Sequence, residues 1–345
     1  MVHFQETLRI WYLANKRDLP WRDTTNPYKI WLSEVVLQQT RVDQGTAYYL
    51  KFIEAFPTVQ HLAKASEKEV LALWQGLGYY SRARNLHATA KLLVKDYKGA
   101  FPNNYSDLLL LKGVGPYTAA AIASFSFNEA KAVLDGNVFR VLSRIYNIST
   151  AIDTNKGTVQ YRDLSQSLIS LSDPATHNQA IMELGALVCV PKTPKCSICP
   201  FSLECAALKN GTVKNRPIKN GKPKIRKRFL MYTVYFNKSR GIIFLKKRTQ
   251  KDIWQNLYDF KMQEFLSEED FERNKISQGK GHKTVYLTHK LTHQTIGAFF
   301  VLKATNKKNS FSDVEPVKLT EVEEFPLPTL IKRYIENEPA FNYSV

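Results

Sequence analysis

Cysteine is missing from residues 1–188 and again from 206–345; all four cysteines, Cys189, Cys196, Cys199 and Cys205, fall in one short stretch. A disulfide framework would scatter cysteines through a secreted chain, so this clustering points to a metal site instead. No apolar run reaches the roughly 18 residues that a transmembrane helix needs. The opening MVHFQETLRIWY lacks a basic region followed by an apolar one, so no secretory signal is expected, and a soluble, cytoplasmic protein follows. Internal repeats and low-complexity tracts are also lacking. Acid is in short supply: 31 Asp and Glu face 49 Lys and Arg, a formal charge of +18 and a pI near 9.6. Such a balance is rare in a plain metabolic enzyme and favours a polyanion as partner, nucleic acid first and a membrane surface second.

The length of 345 residues suggests about two domains, and 44% apolar content is ordinary for a globular chain. Residues 1–208 read mostly as helix, with helical patterning at 28–40, 67–73, 82–95, 106–112, 117–125 and 138–145. Pro20, Pro27, Pro57, Pro102 and Pro174 fall between these segments, where breakers belong. This predicts an all-α domain. Residues 209–228, KNGTVKNRPIKNGKPKIRKR, hold nine Lys or Arg, two prolines and no acid, the composition of a solvated basic linker. From 229 onward the pattern changes to strands. FLMYTVYF and GIIFLKKR flank a polar turn, and KTVYLTHKL and IGAFFVLKA form a second such pair, so residues 229–345 predict an α+β domain.

Three features carry chemistry. The cysteines follow C-x6-C-x2-C-x5-C, a thiolate set suited to zinc or to an iron–sulfur cluster; zinc ribbons usually pair two CxxC knuckles, and here there is one. Lys192 and Lys195 lie in the same loop and can present charge to a phosphate backbone. Leu111-Lys112-Gly113-Val114-Gly115, with Pro116 at the next helix's first position, is a helix-hairpin-helix pattern. Its glycines permit a tight turn, and free N–H groups at a helix start can hold a phosphate. Two carboxylates also stand out. Glu34 is the one acid in a helix that is apolar on all sides, where desolvation favours the protonated form. Asp135 precedes a helix and suits an N-cap, whose backbone donors would keep it ionised. An acid held protonated beside a carboxylate held charged is the division of labour that glycosidic cleavage requires.

WLSEVVLQQTRV, GLGYYSRARNLH, LKGVGPYTAAAIASF, VLDGNVFRVLSRI and MELGALVC, followed by the four cysteines, together resemble the adenine DNA glycosylases (MutY type) of the endonuclease III superfamily, colinearly over most of residues 10–208. The resemblance implies a multidomain fold: an all-α helix-hairpin-helix glycosylase domain with an iron–sulfur loop, a linker, and a Nudix-like α+β domain that recognises 8-oxoguanine. It implies a [4Fe–4S] cluster on Cys189, Cys196, Cys199 and Cys205. It implies base-excision repair of double-stranded DNA in which adenine is mispaired with 8-oxoguanine or guanine, by a monomer. On this basis Glu34 protonates adenine, Asp135 stabilises or traps the sugar cation, and Tyr117 and Asn137 position the sugar and the carboxylates. Gln39, with Thr40 beside it, and Tyr79 meet the DNA where the base has flipped out. Arg22 and Glu183 line the base pocket, and Gly113, Val114 and Gly115 hold the backbone.

The bifunctional relatives carry a Schiff-base lysine where this chain has Tyr117, which favours a monofunctional, water-using enzyme. In the C-terminal half, IWQNLYDF (253–260) is the best-matched stretch, and the clustered glutamates of a Nudix hydrolase are missing, so this half should bind and not hydrolyse. Thr292 and His293 align with the family's oxoguanine reader, but Leu291 stands where an aromatic is usual. Two alternatives remain open at this point: an endonuclease III-like enzyme acting on oxidised pyrimidines, and a non-enzymatic iron–sulfur DNA-binding protein.

Overall fold

A computed structural model describes residues 2–221, 225–280, 282–307 and 313–341. Its helices are α1 (Val2–Asn15), α2 (Pro27–Leu37), α3 (Val42–Ala55), α4 (Val59–Lys64), α5 (Glu67–Leu73), α6 (Ser81–Tyr97), α7 (Tyr105–Leu108), α8 (Pro116–Phe127), α9 (Gly136–Ile145), α10 (Asn155–Leu168), α11 (Pro174–Leu187), α12 (Ala206–Lys209), α13 (Glu268–Gly279) and α14 (Thr329–Asn337). The strands are β1 (Arg226–Asn237), β2 (Ile242–Lys247), β3 (Tyr258–Asp259), β4 (Lys261–Phe265), β5 (Lys283–Lys290), β6 (Gln294–Ala304) and β7 (Glu315–Lys318). Among the described residues no helix is long and apolar enough to cross a membrane. The chain divides into two compact units, one of residues 1–64 with 85–221, the other of 65–84 with 222–345.

The first unit is helical. Its core forms where α2 packs on α8 and on α3, and where α11 packs on α1, α8 and α9. Close packing is possible because α8 brings a run of alanines, Ala119, Ala120, Ala121 and Ala123, all buried. Sequence periodicity places α2 and α8 well. It overextends the segment before the hairpin, where helix proper ends at Leu108 and the last residues are turns.

Two boundaries differ from the expected ones. The basic segment read as a solvated tether is pinned to the helical unit as far as Gly221. Ile152 N donates to Ile218 O (3.0 Å), Thr212 Oγ1 to Asn147 Oδ1 (2.7 Å), and Asp153 accepts from Asn220 N and Gly221 N. Lys209, Lys214 and Lys219 are exposed while the backbone that carries them is fixed, a distinction composition does not carry. Residues 222–224 of that segment lie outside the described residues, and β1 begins within it at Arg226. Residues 65–84, inside the stretch assigned to the helical domain, group with the second unit. Tyr80 Oη donates to Leu327 O, Arg84 Nη1 to Gln255 O, and Asn256 Nδ2 to Glu67 Oε1.

The second unit is built on a seven-stranded mixed sheet of order β3-β2-β1-β6-β5, with β4 added to β1 and β7 to β2. Both expected hairpins form. β1 meets β2 through a turn ending at Gly241 (φ +60°), and β5 meets β6 antiparallel, while β1 and β6 run parallel. Alternation along β1 sends Leu230, Tyr232 and Val234 to one apolar layer, where Phe300 stacks on Tyr334 of α14 (4.2 Å). Phe265, Phe271, Phe299 and Val301 form the layer under α13. At one end Arg228 is buried between Asp252 and Glu264, and Arg248 between Asp252 and Asp259. Removing one partner from such a set leaves others buried and uncompensated. Arg228→Met is therefore expected to cost about 3 kcal/mol in urea unfolding followed by the fluorescence of Trp254; a change within a few tenths would mean that water already screens the cluster.

Candidate active site

Glu34 lies in the middle of α2, which starts cleanly because Asn26 caps Tyr28 N and Lys29 N and Pro27 occupies the first turn. Tyr28, Ile30, Trp31, Leu32, Val35 and Val36 are buried around it, so the helix is apolar on all sides as its sequence indicates. Glu34 itself is 6% exposed, and its Oε2 accepts from the Tyr117 hydroxyl at 2.7 Å. Burial pushes its carboxyl up to about 7; the Tyr117 hydrogen bond opposes this and the nearby Asp135 charge adds to it. Tyr117 is raised too, chiefly by burial, so it stays a donor. The same hydroxyl lies 3.3 Å from Met182 Sδ.

Asp135 is the N-cap of α9. Its Oδ1 accepts from Asn137 N (2.9 Å) and Val138 N (2.8 Å), and its Oδ2 from Asn137 Nδ2 (2.7 Å). The cap is as expected. Burial lifts the Asp135 carboxyl above the ordinary aspartate value despite the three N–H donors and the nearby Arg140 charge. What separates the two acids is the donor set: three N–H groups on Asp135 against one hydroxyl on Glu34. Asn137 is held in turn by Arg140, whose Nη2 donates to Asn137 Oδ1 (2.7 Å) and Gly185 O (2.8 Å) and whose Nε donates to Cys189 O (2.6 Å). Gly185 admits this packing, since a Cβ there would fall 2.6 Å from Asn137 Cβ.

Arg22 and Glu183 come together as an ion pair. Arg22 grips both carboxylate oxygens (3.0 and 2.8 Å), and Glu183 is 1% exposed. Sequence reasoning missed Arg17, which donates to Glu183 from its backbone N, Nε and Nη2, and Gln179, which accepts from Arg22 Nε. Burial by itself would raise Glu183, but the two guanidiniums override it and hold the acid at about 2.

In the hairpin, Gly113 takes φ +79°, Val114 N closes the turn on Leu111 O, and Gly115 caps α8. Thr89 Oγ1 ties down Lys112 O at 2.6 Å, while the Lys112 side chain is exposed. Among the described residues no three His, Cys, Asp or Glu side chains stand as a ready ligand set for one ion. The four cysteines instead line a common cavity walled by Val141, Ile145, Leu184 and Val188. Burial and the neighbouring sulphurs push the Cys199 thiol up to about 11. Metal binding must therefore displace thiol protons. Four thiols around one apolar cavity suit a thiolate-bound centre.

Gln39 and Tyr79 share a feature invisible in the sequence: both are left-handed, at φ +58° and +48°. Strain of this kind in non-glycine residues collects at functional positions. Gln39 and Thr40 follow the end of α2, with Gln39 exposed. Tyr79 belongs to the second unit, where its hydroxyl donates to Thr292 Oγ1 at 2.9 Å. Thr292 and His293 are exposed at the tip of the β5–β6 hairpin. They border a cleft of about 590 Å³ that also takes in Trp254 and His289.

The pattern of the HhH-GPD superfamily of base excision DNA repair proteins matches residues 32–163, and that of the NUDIX domain matches residues 231–337. Among solved structures, a thermostable thymine-DNA glycosylase is 29% identical with a TM-score of 0.56, covering 60% of this chain and 96% of its own. An endonuclease III–DNA complex, 19% identical with a TM-score of 0.53, shares the fold over 61% of this chain and 95% of its own. Helical unit and mixed sheet thus define a base-excision repair protein of the helix-hairpin-helix class, followed by a Nudix-like domain. Adenine DNA glycosylase of Buchnera aphidicola (strain Bp) is 34% identical over 99% of this chain and 98% of its own length. The human adenine DNA glycosylase is 45% identical over 59% of this chain and 39% of its own length. The chain belongs to the adenine DNA glycosylase family.

The raised acid has a stability consequence. Glu34 binds its proton more tightly folded (about 7) than unfolded (4.5), so folding loses stability as pH rises between those values and the loss persists above them. At 1.36 kcal/mol per unit the cost is roughly 3 kcal/mol above pH 7. Glu34→Gln is expected to raise the melting temperature at pH 8, with the gain vanishing near pH 4.5. Equal melting temperatures at pH 8 would mean that Glu34 titrates normally.

Proposed function

We propose that this protein removes adenine from double-stranded DNA in which adenine lies opposite 8-oxoguanine or guanine, hydrolysing the N-glycosidic bond and leaving an abasic site. The observation that carries this reading is Glu34, a buried acid poised near neutrality and hydrogen-bonded by Tyr117, with Asp135 close by under three N–H donors. Glu34 gives its proton to the leaving base, and Asp135 faces the cation that develops on the sugar. Arg17 and Arg22 keep Glu183 anionic, which suits an acceptor for the amine on the adenine edge. Gly113 and Gly115 offer backbone N–H groups to a phosphate, while Val114, whose N–H closes the turn on Leu111 O, holds the hairpin in shape around them. Gln39, beside Thr40, and Tyr79, held in strained conformations, fill the space that the flipped base leaves. In the second unit the Thr292 hydroxyl and His293 imidazole read the oxidised guanine, with Leu291 supplying apolar contact in place of an aromatic ring.

Tyr117 supports a monofunctional enzyme. No amine stands at this position to form a Schiff base, and its hydroxyl is committed to Glu34. Cys189, Cys196, Cys199 and Cys205 hold a [4Fe–4S] cluster in this reading. The cluster fixes the loop that carries Lys192 and Lys195, and proton transfer stays with Glu34. The protein acts as a monomer on DNA.

Single-turnover adenine release from an A:8-oxoguanine duplex tests the assignment. Glu34→Gln should abolish release while DNA binding persists. Asp135→Asn, checked for fold because it also removes a cap, should slow release by about 10²–10³ or more. A folded Asp135→Asn protein releasing adenine at the wild-type rate would return Asp135 to a purely structural role. Tyr117→Lys is expected to gain a borohydride-trappable adduct with DNA; as much adduct from the wild type would contradict the monofunctional reading.

A further inference from the structure

Arg144, on the last turn of α9, is 2% exposed and directs its guanidinium at the cysteine loop. Its Nη1 donates to Val190 O (2.8 Å), its Nη2 to Pro191 O (2.9 Å) and its Nε to Val213 O (3.1 Å), and Nη1 also lies 3.4 Å from Cys189 Sγ. Carbonyl acceptors satisfy these donors without cancelling the positive charge. Lys195 also lines the cysteine cavity but is exposed, so Arg144 is the buried cation among the described residues that form it.

A [4Fe–4S] cluster in its usual resting state, with four thiolate ligands, is a dianion. Placed between apolar walls, it feels a buried charge far more strongly than it would in water. A donor on a ligand sulphur and a nearby cation both favour the electron-rich state. We propose that Arg144 sets the redox poise of this cluster: through Cys189 Sγ it stabilises the resting state against loss of one electron. The proposal rests on the cluster reading above. It makes Arg144 a positioning and charge-compensating residue, distinct from the four ligands and from Arg140, which contacts the loop's carbonyl and not a sulphur.

The test compares anaerobically purified wild type, Arg144→Gln and Arg144→Lys for iron content, for the midpoint of one-electron oxidation by protein-film voltammetry, and for bleaching of the absorption near ~400 nm by ferricyanide. Ferricyanide takes one electron from the cluster and becomes ferrocyanide. Arg144→Gln is expected to retain iron but to shift the oxidation equilibrium at least tenfold, a midpoint lower by about 59 mV for one electron, and to bleach correspondingly faster. Arg144→Lys keeps the charge without the fork and should fall between. An iron-loaded Arg144→Gln protein with the wild-type midpoint would overturn the proposal. If the glutamine variant does not fold, the lysine variant decides: a lowered midpoint supports the proposal and an unchanged one overturns it. Two variants that are both unfolded, or both folded without iron, would likewise overturn the redox role and leave Arg144 a clamp on the loop. Wild-type protein containing zinc and no iron would instead sink the cluster reading itself, before any variant is compared.

Discussion

Glu34 is carried into the core by a helix that has no polar face to offer. Every turn of α2 around it is lined by aromatic and aliphatic side chains, and the alanines of α8 let the neighbouring helix come close enough to bring in Tyr117. Desolvating a carboxyl in this way is costly, and the cost falls on the charged form, so the proton is retained to near neutral pH. The remaining geometry follows from keeping that acid isolated. Its one hydroxyl partner cannot take up the proton, and the second carboxylate is placed at a helix start, where N–H groups are already turned outward.

The second carboxylate also links the site to the rest of the unit. From Asp135 a hydrogen-bonded chain passes to Asn137, then through Arg140 to the carbonyls of Gly185 and Cys189, so the cap, the end of α11 and the start of the cysteine loop are fixed together. Two arginines a turn apart on α9, Arg140 and Arg144, do this work from one helix face. The cysteine loop is thus an extension of the helix that carries the Asp135 cap, not an appendage to the fold.

How much of this was legible in the sequence depends on whether a signal is local. The burial of Glu34 could be read because eleven consecutive residues of α2 show apolar groups on all sides. The capping role of Asp135 could be read because caps are a matter of two or three adjacent residues. The upward shift of its carboxyl could not, because the balance between donors and burial is set by tertiary packing. Arg17 carries no sign of its partner Glu183, which lies 166 positions away. The strain at Gln39 and Tyr79 is a backbone property that glutamine and tyrosine do not advertise. Composition described the basic segment's backbone badly, since the groups that pin it are the carbonyl of Ile218, an ordinary residue in a run dominated by lysine, and Asp153, which lies outside the run altogether.

The account stands on Glu34 being protonated near neutral pH because it is buried. Carbon-13 NMR of protein labelled at the glutamate carboxyl, with Glu34→Gln used to assign the resonance, measures this without substrate or turnover. The structure predicts a Glu34 titration midpoint near 7. A midpoint in the ordinary glutamate range, about 4.3, would contradict the account and remove the general acid on which it depends.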